Sequence, residues 1–146
     1  MHIISGQFSA FFGINNSSMN PSSTVQRSFT ETVAINSSGQ TAVQVSFWYL
    51  CVGYPAVPTD ADLYFSTDGG NTWTILGTYV SQPNWTQVII TNPAFDNQTD
   101  LRFGFLMHNR GIAGTFELGM SVDDFSVDAP GGGGGSSLTW EGTISN

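Results

Sequence analysis

The chain has 146 residues, which is enough for one domain with a sizeable hydrophobic core. Hydrophobic residues make up 40% of it and charged residues only 10%. Lysine is absent, and eleven carboxylates outweigh three arginines, for a net charge of −8. This balance argues against nucleic acid and against insertion into an anionic membrane, whereas a neutral polar polymer such as a glycan is compatible with it.

Cysteine content and hydropathy exclude further classes of protein. Cys51 is the only cysteine, so neither an internal disulfide nor a cysteine-based metal cluster is expected. No run of about 18 or more apolar residues occurs, so no transmembrane helix is predicted. The first residues lack the basic start and long apolar run of a signal peptide, although the composition is typical of extracellular proteins. We expect an internal piece of a longer secreted or cell-surface protein; a cytoplasmic protein is the alternative.

Alternation of apolar and polar residues with period 2 predicts short β-strands along most of the chain. It is clearest in residues 41–51, where one face is apolar and Trp48 stands on the more polar face. No segment sustains an apolar period of 3.6 residues. The pattern therefore predicts an all-β, antiparallel two-sheet β-sandwich of the jelly-roll, concanavalin A-like or galactose-binding-like kind. The other predicted strands are residues 7–13, 25–35, 62–66, 72–76, 87–91, 101–108, 115–119 and 121–127.

The C-terminal region predicts a domain boundary. Five successive glycines and two serines follow Pro130, and such a stretch behaves as flexible coil. We therefore predict a β-sandwich module at 1–130 and a linker at 131–137. The tail at 138–146 is either the start of a next module or an edge strand that folds back.

Residues 66–73, with the sequence STDGGNTW, fit the pattern S-x-D-x-G-x-x-W. They resemble the Asp-box found on hairpins of sialidase propellers and of many secreted β domains. A short Asp side chain accepts N–H groups across such a turn, and glycine allows positive φ. One copy cannot build a propeller, so we assign a structural turn to Ser66, Asp68, Gly70 and Trp73.

A set of short motifs occurs in order between residues 4 and 127. They are GQFSAF (6–11), VSFWY (45–49), the Asp-box, WTQV (85–88), LRFGF (101–105) and VDDFSV (122–127). Together they resemble the MAM-like and cleaved-adhesin jelly rolls of bacterial secreted surface proteins. They are similar, more loosely, to calcium-stabilised carbohydrate-binding modules.

The resemblance implies a structural calcium at Asp123, with Asp124 beside it. Strand parity places Asp123 on the face of Phe125 and Val127, which we expect to be core. A carboxylate on a core face needs a cation or several donors, and calcium is bound by oxygen ligands. The alternative is that Asp123 caps backbone amides at a strand end.

Catalytic groups are poorly represented. His2 lies at the terminus and His108 is the only other histidine, so a histidine-rich metal site is excluded. No strand-turn-helix nucleophile elbow precedes His108. Asp60 and Asp62 could form a carboxylate pair, but aspartates at alternate positions of a solvated loop and strand are common and do not by themselves indicate catalysis. We therefore expect no enzyme.

Several residues off the predicted core faces are candidates for ligand binding, because sugar rings stack on aromatic side chains. They are Trp48, Tyr64 and Tyr54, joined by Arg102 and His108 on the non-core side of their strand. The sequence thus predicts a non-catalytic binding or adhesion module for a polysaccharide or cell-surface glycan. The alternatives are a structural spacer or protein-interaction domain beside neighbouring domains, and an accessory domain of a secreted hydrolase or peptidase.

Overall fold

The computed structural model describes residues 10–13, 26–31, 34–52, 60–108 and 119–129. Nearly all of the regular structure in these ranges is β-strand, in two antiparallel sheets, so the predicted β-sandwich is confirmed. No helix in this part of the chain is long and apolar enough to cross a membrane. Residues 115–118 of the strand predicted at 115–119 lie outside the described residues, as do the linker and the tail, and Gly119 begins β8.

Eight strands form two four-stranded sheets in the described part of the chain. Sheet A has the order β1-β8-β3-β6 and sheet B the order β2-β7-β4-β5, with every pairing antiparallel. The strands are β1 Ala10–Gly13, β2 Gln26–Glu31, β3 Gln44–Val52, β4 Asp60–Ser66, β5 Thr74–Val80, β6 Gln82–Thr91, β7 Arg102–His108 and β8 Gly119–Asp128.

The core lies between the two sheets and is rich in phenylalanine. Phe47 of β3 is fully buried, and its ring centroid lies 5.3 Å from that of Phe105 in β7 and 5.4 Å from that of Tyr79 in β5. Both contacts are edge-to-face, the arrangement that the ring quadrupoles favour. Phe47 therefore joins sheet A to sheet B.

Alternation along the central strands follows the predicted pattern. In β3, Val45, Phe47 and Cys51 are fully buried, whereas Trp48 is half-buried. Burial raises the pKa of the Cys51 thiol to about 11, with a further contribution from the charge of Asp60. The thiol is therefore protonated at neutral pH and behaves as a small apolar core residue.

Strands β5 and β6 run differently from the prediction. The predicted strand at 72–76 is found at Thr74–Val80, and the predicted strand at 87–91 begins five residues earlier, at Gln82. Pro83 lies in this added segment, and proline cannot donate to a sheet ladder. Among the described strands β6 lies at the edge of sheet A, and Pro83 is not one of its residues that pair with β3, so the missing donor costs no pairing there.

A single turn of 3-10 helix at Pro93–Phe95 was not predicted. The side chain of Asn92 caps it by accepting the Ala94 N–H at 3.0 Å, and proline suits the first helical position. The turn carries Phe95 into the core, where its ring contacts Phe65 and Phe103.

Replacing Phe47 with alanine should lower the free energy of unfolding by about 3–5 kcal/mol, because it leaves a cavity where the sheets meet. Urea unfolding followed by circular dichroism measures this. Ile89→Ala is the matched control, since Ile89 is 58% exposed on β6 and its loss should change stability by about 0.5 kcal/mol or less. Equal effects of the two substitutions would contradict this account of the core.

Candidate functional site

Trp48 lies on the outer face of sheet A. It follows Phe47 in β3, and successive side chains of a strand point to opposite faces. β3 is an inner strand, with β8 on one side and β6 on the other. Trp48 is opposite Gln87 of β6 and Asp123 of β8. The indole is therefore near the middle of the outer face and not at its edge.

Polar and apolar groups surround this indole. The hydroxyls of Ser46 and Ser126 are 2.8 Å apart, and Ser126 donates to the Asp128 carboxylate at 3.0 Å. Since Ser126 gives its proton to Asp128, Ser46 is the donor in the Ser46–Ser126 hydrogen bond. Gln87 is exposed in β6, as is Ile89, which is opposite Ser46 in the register.

We call this surface the Trp48 face and define it by Ser46, Trp48, Gln87, Ile89 and Ser126. Sequence reasoning identified Trp48 and placed Ser46 beside it. It missed the contributions of β6 and β8, because the pairing of distant strands is not visible in a local pattern. Alternation within 87–91 was the one available signal, since it marks Gln87 and Ile89 as members of one face.

The predicted placement of Asp123 is wrong. Trp48 is opposite Asp123 and Ser46 is opposite Ser126, so two residues of β8 oppose the single residue Phe47. This is a β-bulge, in which one extra residue interrupts the alternation. Asp123 consequently shares the outer face with Trp48, whereas Phe125 beyond the bulge packs against the core.

The bulge has a local cause in the chain. Asp124 has φ +50, in the left-handed region that aspartate tolerates better than most residues. Its backbone N–H donates to the Asp123 carboxylate at 2.9 Å. Asp123 is only 6% exposed although it lies on the outer face. The two residues predicted to bind calcium are therefore consecutive at the bulge, and Asp123 is opposite Trp48 in the register.

Within the described residues, no group of three or more His, Cys, Asp or Glu side chains is arranged to hold a metal ion. Carboxylate and backbone carbonyl oxygens are both calcium ligands, so the chemistry of Asp123 and Asp124 is suitable. Calcium binding at these two residues stays a prediction.

Tyr64 lies on the other side of the sandwich. It is half-buried on the outer face of β4, between Leu63 and Phe65, which face the core. Its hydroxyl donates to the Asp62 carboxylate at 3.4 Å, and Thr78 donates to the same carboxylate at 2.6 Å. Trp48 lies on the outer face of sheet A and Tyr64 on the outer face of sheet B. The structure therefore does not bring these two aromatic residues into one site.

The remaining candidate residues are spread along sheet B or fall outside it. Arg102 is opposite Ser66 at one end of β7, and its guanidinium pairs with Asp100 at 2.8 Å. His108 is opposite Asp60 at the other end of β7, about 20 Å away at the rise of a strand. The side chain of His108 and the whole of Tyr54 lie outside what the structure describes.

The hairpin between β4 and β5 is closed by side-chain hydrogen bonds of the Asp-box. Asp68 accepts the Ser66 hydroxyl at 2.7 Å, the Thr72 N–H at 2.9 Å and the Thr72 hydroxyl at 2.6 Å. Gly70 has φ +89, and its carbonyl accepts the Trp73 indole N–H at 2.9 Å. All of these contacts are local, so they define a turn.

Comparison with solved structures identifies proteins that have a similar fold. No protein-family model matches the chain, and no curated protein matches it. It is similar to a solved family 61 carbohydrate-binding module in complex with β-1,4-galactotriose, with a TM-score of 0.53 and 14% identity over 86% of this chain and 73% of that one. It is also similar to a family 16 carbohydrate-binding module, with a TM-score of 0.46 and 15% identity over 85% of this chain and 78% of that one. At such identity the first likeness shows a shared jelly-roll fold, and the resemblance to MAM-like domains stays a prediction.

Stability should fall in acid partly through Asp68. Hydrogen bonds from Thr72, Ser66 and Asn71 lower its pKa from 3.8 to about 2. Because this pKa is lower in the folded than in the unfolded state, the ionised carboxylate stabilises the fold above about pH 4, and this contribution is lost as the pH falls toward 2.

The measurement is the urea midpoint at about pH 5 and about pH 2.5. Asp68→Asn should show a smaller difference between the two pH values than the wild type. Thr72→Val, which removes the largest contribution, should also reduce it. Identical pH dependence in all three proteins would contradict this assignment.

Proposed function

We propose that this chain is a non-catalytic carbohydrate-binding module that holds a neutral polysaccharide or surface glycan on the Trp48 face. The observation that carries the proposal is the position of Trp48 on the outer side of an inner strand. The core is complete on the other side of β3 with Val45 and Phe47, so packing does not require an indole at this position.

The groups around the indole suit a sugar. The apolar C–H face of a sugar ring stacks on an indole, and neighbouring polar side chains fix the orientation of its hydroxyls. Gln87 provides an amide with both donors and acceptors, and Ser46 and Ser126 provide hydroxyls. Ile89 extends the apolar surface along β6.

Charge favours a neutral ligand over an anionic one. The chain carries a net charge of −8 and no lysine. Asp128 adds a carboxylate on the same outer face of sheet A as Trp48, opposite Gln44 in β3. An acidic polysaccharide would be repelled by this surface, whereas a neutral one would not.

The shared fold supports the proposal as an analogy. The family 61 module to which the chain is similar was solved with β-1,4-galactotriose, a neutral oligosaccharide. A fold does not by itself fix a function, so the residues of the Trp48 face carry the assignment. The galactotriose is a rational first ligand to test.

We expect binding without cleavage. On this face of sheet A, Asp123 accepts a hydrogen bond from the Asp124 backbone and Asp128 accepts one from the Ser126 hydroxyl. Glycoside hydrolysis uses two carboxyl groups that flank the scissile bond, about 5 to 9.5 Å apart. Asp123 and Asp128 are instead opposite Trp48 and Gln44, which are four residues, or about 13 Å, apart along β3. Release of reducing sugar by the pure protein would contradict this part of the proposal.

The cellular setting we propose is a secreted or cell-surface protein of several domains. The low charge content and the wealth of Ser, Thr, Asn and Gly are typical of such proteins. In that setting the module would hold its parent chain on a glycan.

Isothermal titration with soluble neutral oligosaccharides tests the function. The panel is β-1,4-galactotriose, cellotriose, xylotriose and mannotriose. An exposed site with one stacking aromatic residue should give a Kd between about 1 μM and 1 mM, or about −8 to −4 kcal/mol. Trp48→Ala should weaken binding at least tenfold, about 1.4 kcal/mol, and Trp48→Phe should retain part of it because a ring remains.

No detectable binding to any of the four trisaccharides would reject the proposal and favour a structural spacer or protein-interaction domain. Binding that survives Trp48→Ala in full would move the site away from the Trp48 face. Circular dichroism and a thermal melt of each variant establish that the fold is retained.

We also propose a stabilising calcium at Asp123 and Asp124. A ligand that binds only the folded state adds about 2.7 kcal/mol of stability at 100 times its Kd, so calcium should raise the Tm. Asp123→Asn keeps the size of the side chain and should abolish that rise. A Tm that is the same in chelator and in calcium would reject the metal site without affecting the proposed glycan site.

A further inference from the structure

We infer that the module has a second sugar-binding surface on the opposite side of the sandwich, which makes it bivalent for glycans. This surface, the Tyr64 face, consists of Asp62, Tyr64, Ile75, Thr78 and Arg102. The inference rests on the proposed function, because the same ligand chemistry is assigned to both faces.

The two aromatic residues lie back to back across one core. Trp48 follows Phe47 in β3, and Tyr64 follows Leu63 in β4. Phe47 and Leu63 are both fully buried in the same hydrophobic cluster. Since side chains alternate along each strand, the Trp48 indole lies on the outer face of sheet A and the Tyr64 phenol lies on the outer face of sheet B. The two rings therefore face in opposite directions.

Tyr64 is flanked by a glycine and by an exposed aliphatic side chain. It is opposite Gly104 of β7 on one side and Ile75 of β5 on the other. Gly104 has no side chain to stand beside the ring, and Ile75 is 50% exposed. An aromatic ring beside a glycine and an exposed aliphatic side chain is the kind of surface on which the apolar face of a sugar stacks.

Polar groups lie on both sides of the Tyr64 ring along the strand direction. On one side Asp62 accepts hydrogen bonds from Tyr64 and Thr78. On the other side Arg102 pairs with Asp100 through two nitrogen–oxygen contacts, of 2.8 and 3.3 Å. The arginine charge is thus balanced by a carboxylate, so this face also suits a neutral ligand. Hydroxyls of such a ligand would bind Asp62 and Thr78 on one side of Tyr64 and Arg102 on the other.

Two sites facing opposite ways cannot be occupied by one short oligosaccharide, because the whole sandwich separates them. A trisaccharide should therefore bind with a stoichiometry of two per chain. A long polysaccharide should instead be cross-linked, since each module holds two chains.

The experiment is titration of the same four trisaccharides into four proteins: wild type, Trp48→Ala, Tyr64→Ala and the double variant. We expect two sites per chain in the wild type, one in each single variant and none in the double variant. Tyr64→Leu serves as a second variant, since it keeps an apolar cover over Gly104 and loses only the flat ring. It too should leave one site, at Trp48.

Each other outcome contradicts a different claim. If Trp48→Ala abolishes all binding and both Tyr64 variants titrate like wild type, the second face is rejected and the proposed function stands. If the Tyr64 variants abolish all binding and Trp48→Ala does not, the Trp48 face and the bivalency are both rejected. If no member of the panel binds, or binding survives in the double variant, both proposals fail.

Discussion

Edge-to-face contacts of Phe47 with aromatic rings of the opposite sheet hold the two layers of this sandwich together. Phe47 contacts Phe105 of β7 and Tyr79 of β5, and on its own sheet it stacks near Phe125 with ring centroids 6.0 Å apart. Because β3 must turn Phe47 inward, it must turn the next residue outward. The outward position of Trp48 is thus a direct consequence of core packing, and the candidate site depends on it.

The same constraint acts on sheet B and gives the molecule two distinct outer faces. Leu63 is fixed in the core, so Tyr64 faces solvent on the far side from Trp48. Both faces combine an aromatic ring, an exposed aliphatic side chain and hydrogen-bonded polar groups. Neither relies on an unbalanced positive charge, which agrees with a neutral ligand and with the acidic surface of the chain.

Local alternation in the sequence was sufficient to predict the fold class and the inward and outward residues of β3 and β4. It failed at the bulge of β8, where Asp124 adopts a positive φ and reverses the parity of Asp123. Such a bulge depends on pairing with β3, which is distant in the chain. The strand through Pro83 was missed for a related reason, because proline is acceptable only where a strand lies at a sheet edge.

The candidate site was predictable only in part. The sequence identified Trp48 and Tyr64 as aromatic residues off the core, but grouped them into one site. Which sheet each strand joins follows from long-range pairing, and that pairing places β3 and β4 in different layers. The neighbours of Trp48, such as Gln87 and Ser126, come from strands far away in the sequence and became visible only once the register was known.

Nuclear magnetic resonance titration of the labelled protein with β-1,4-galactotriose tests whether a glycan binds on the Trp48 face. We expect the signals of the Trp48 indole N–H and of the Gln87 side-chain amide to shift together and to saturate at one ligand concentration. Backbone signals of buried neighbours such as Val45 should change much less. Shifts confined to the Asp-box hairpin and the ends of the sandwich, with the Trp48 indole unmoved, would contradict binding on the Trp48 face.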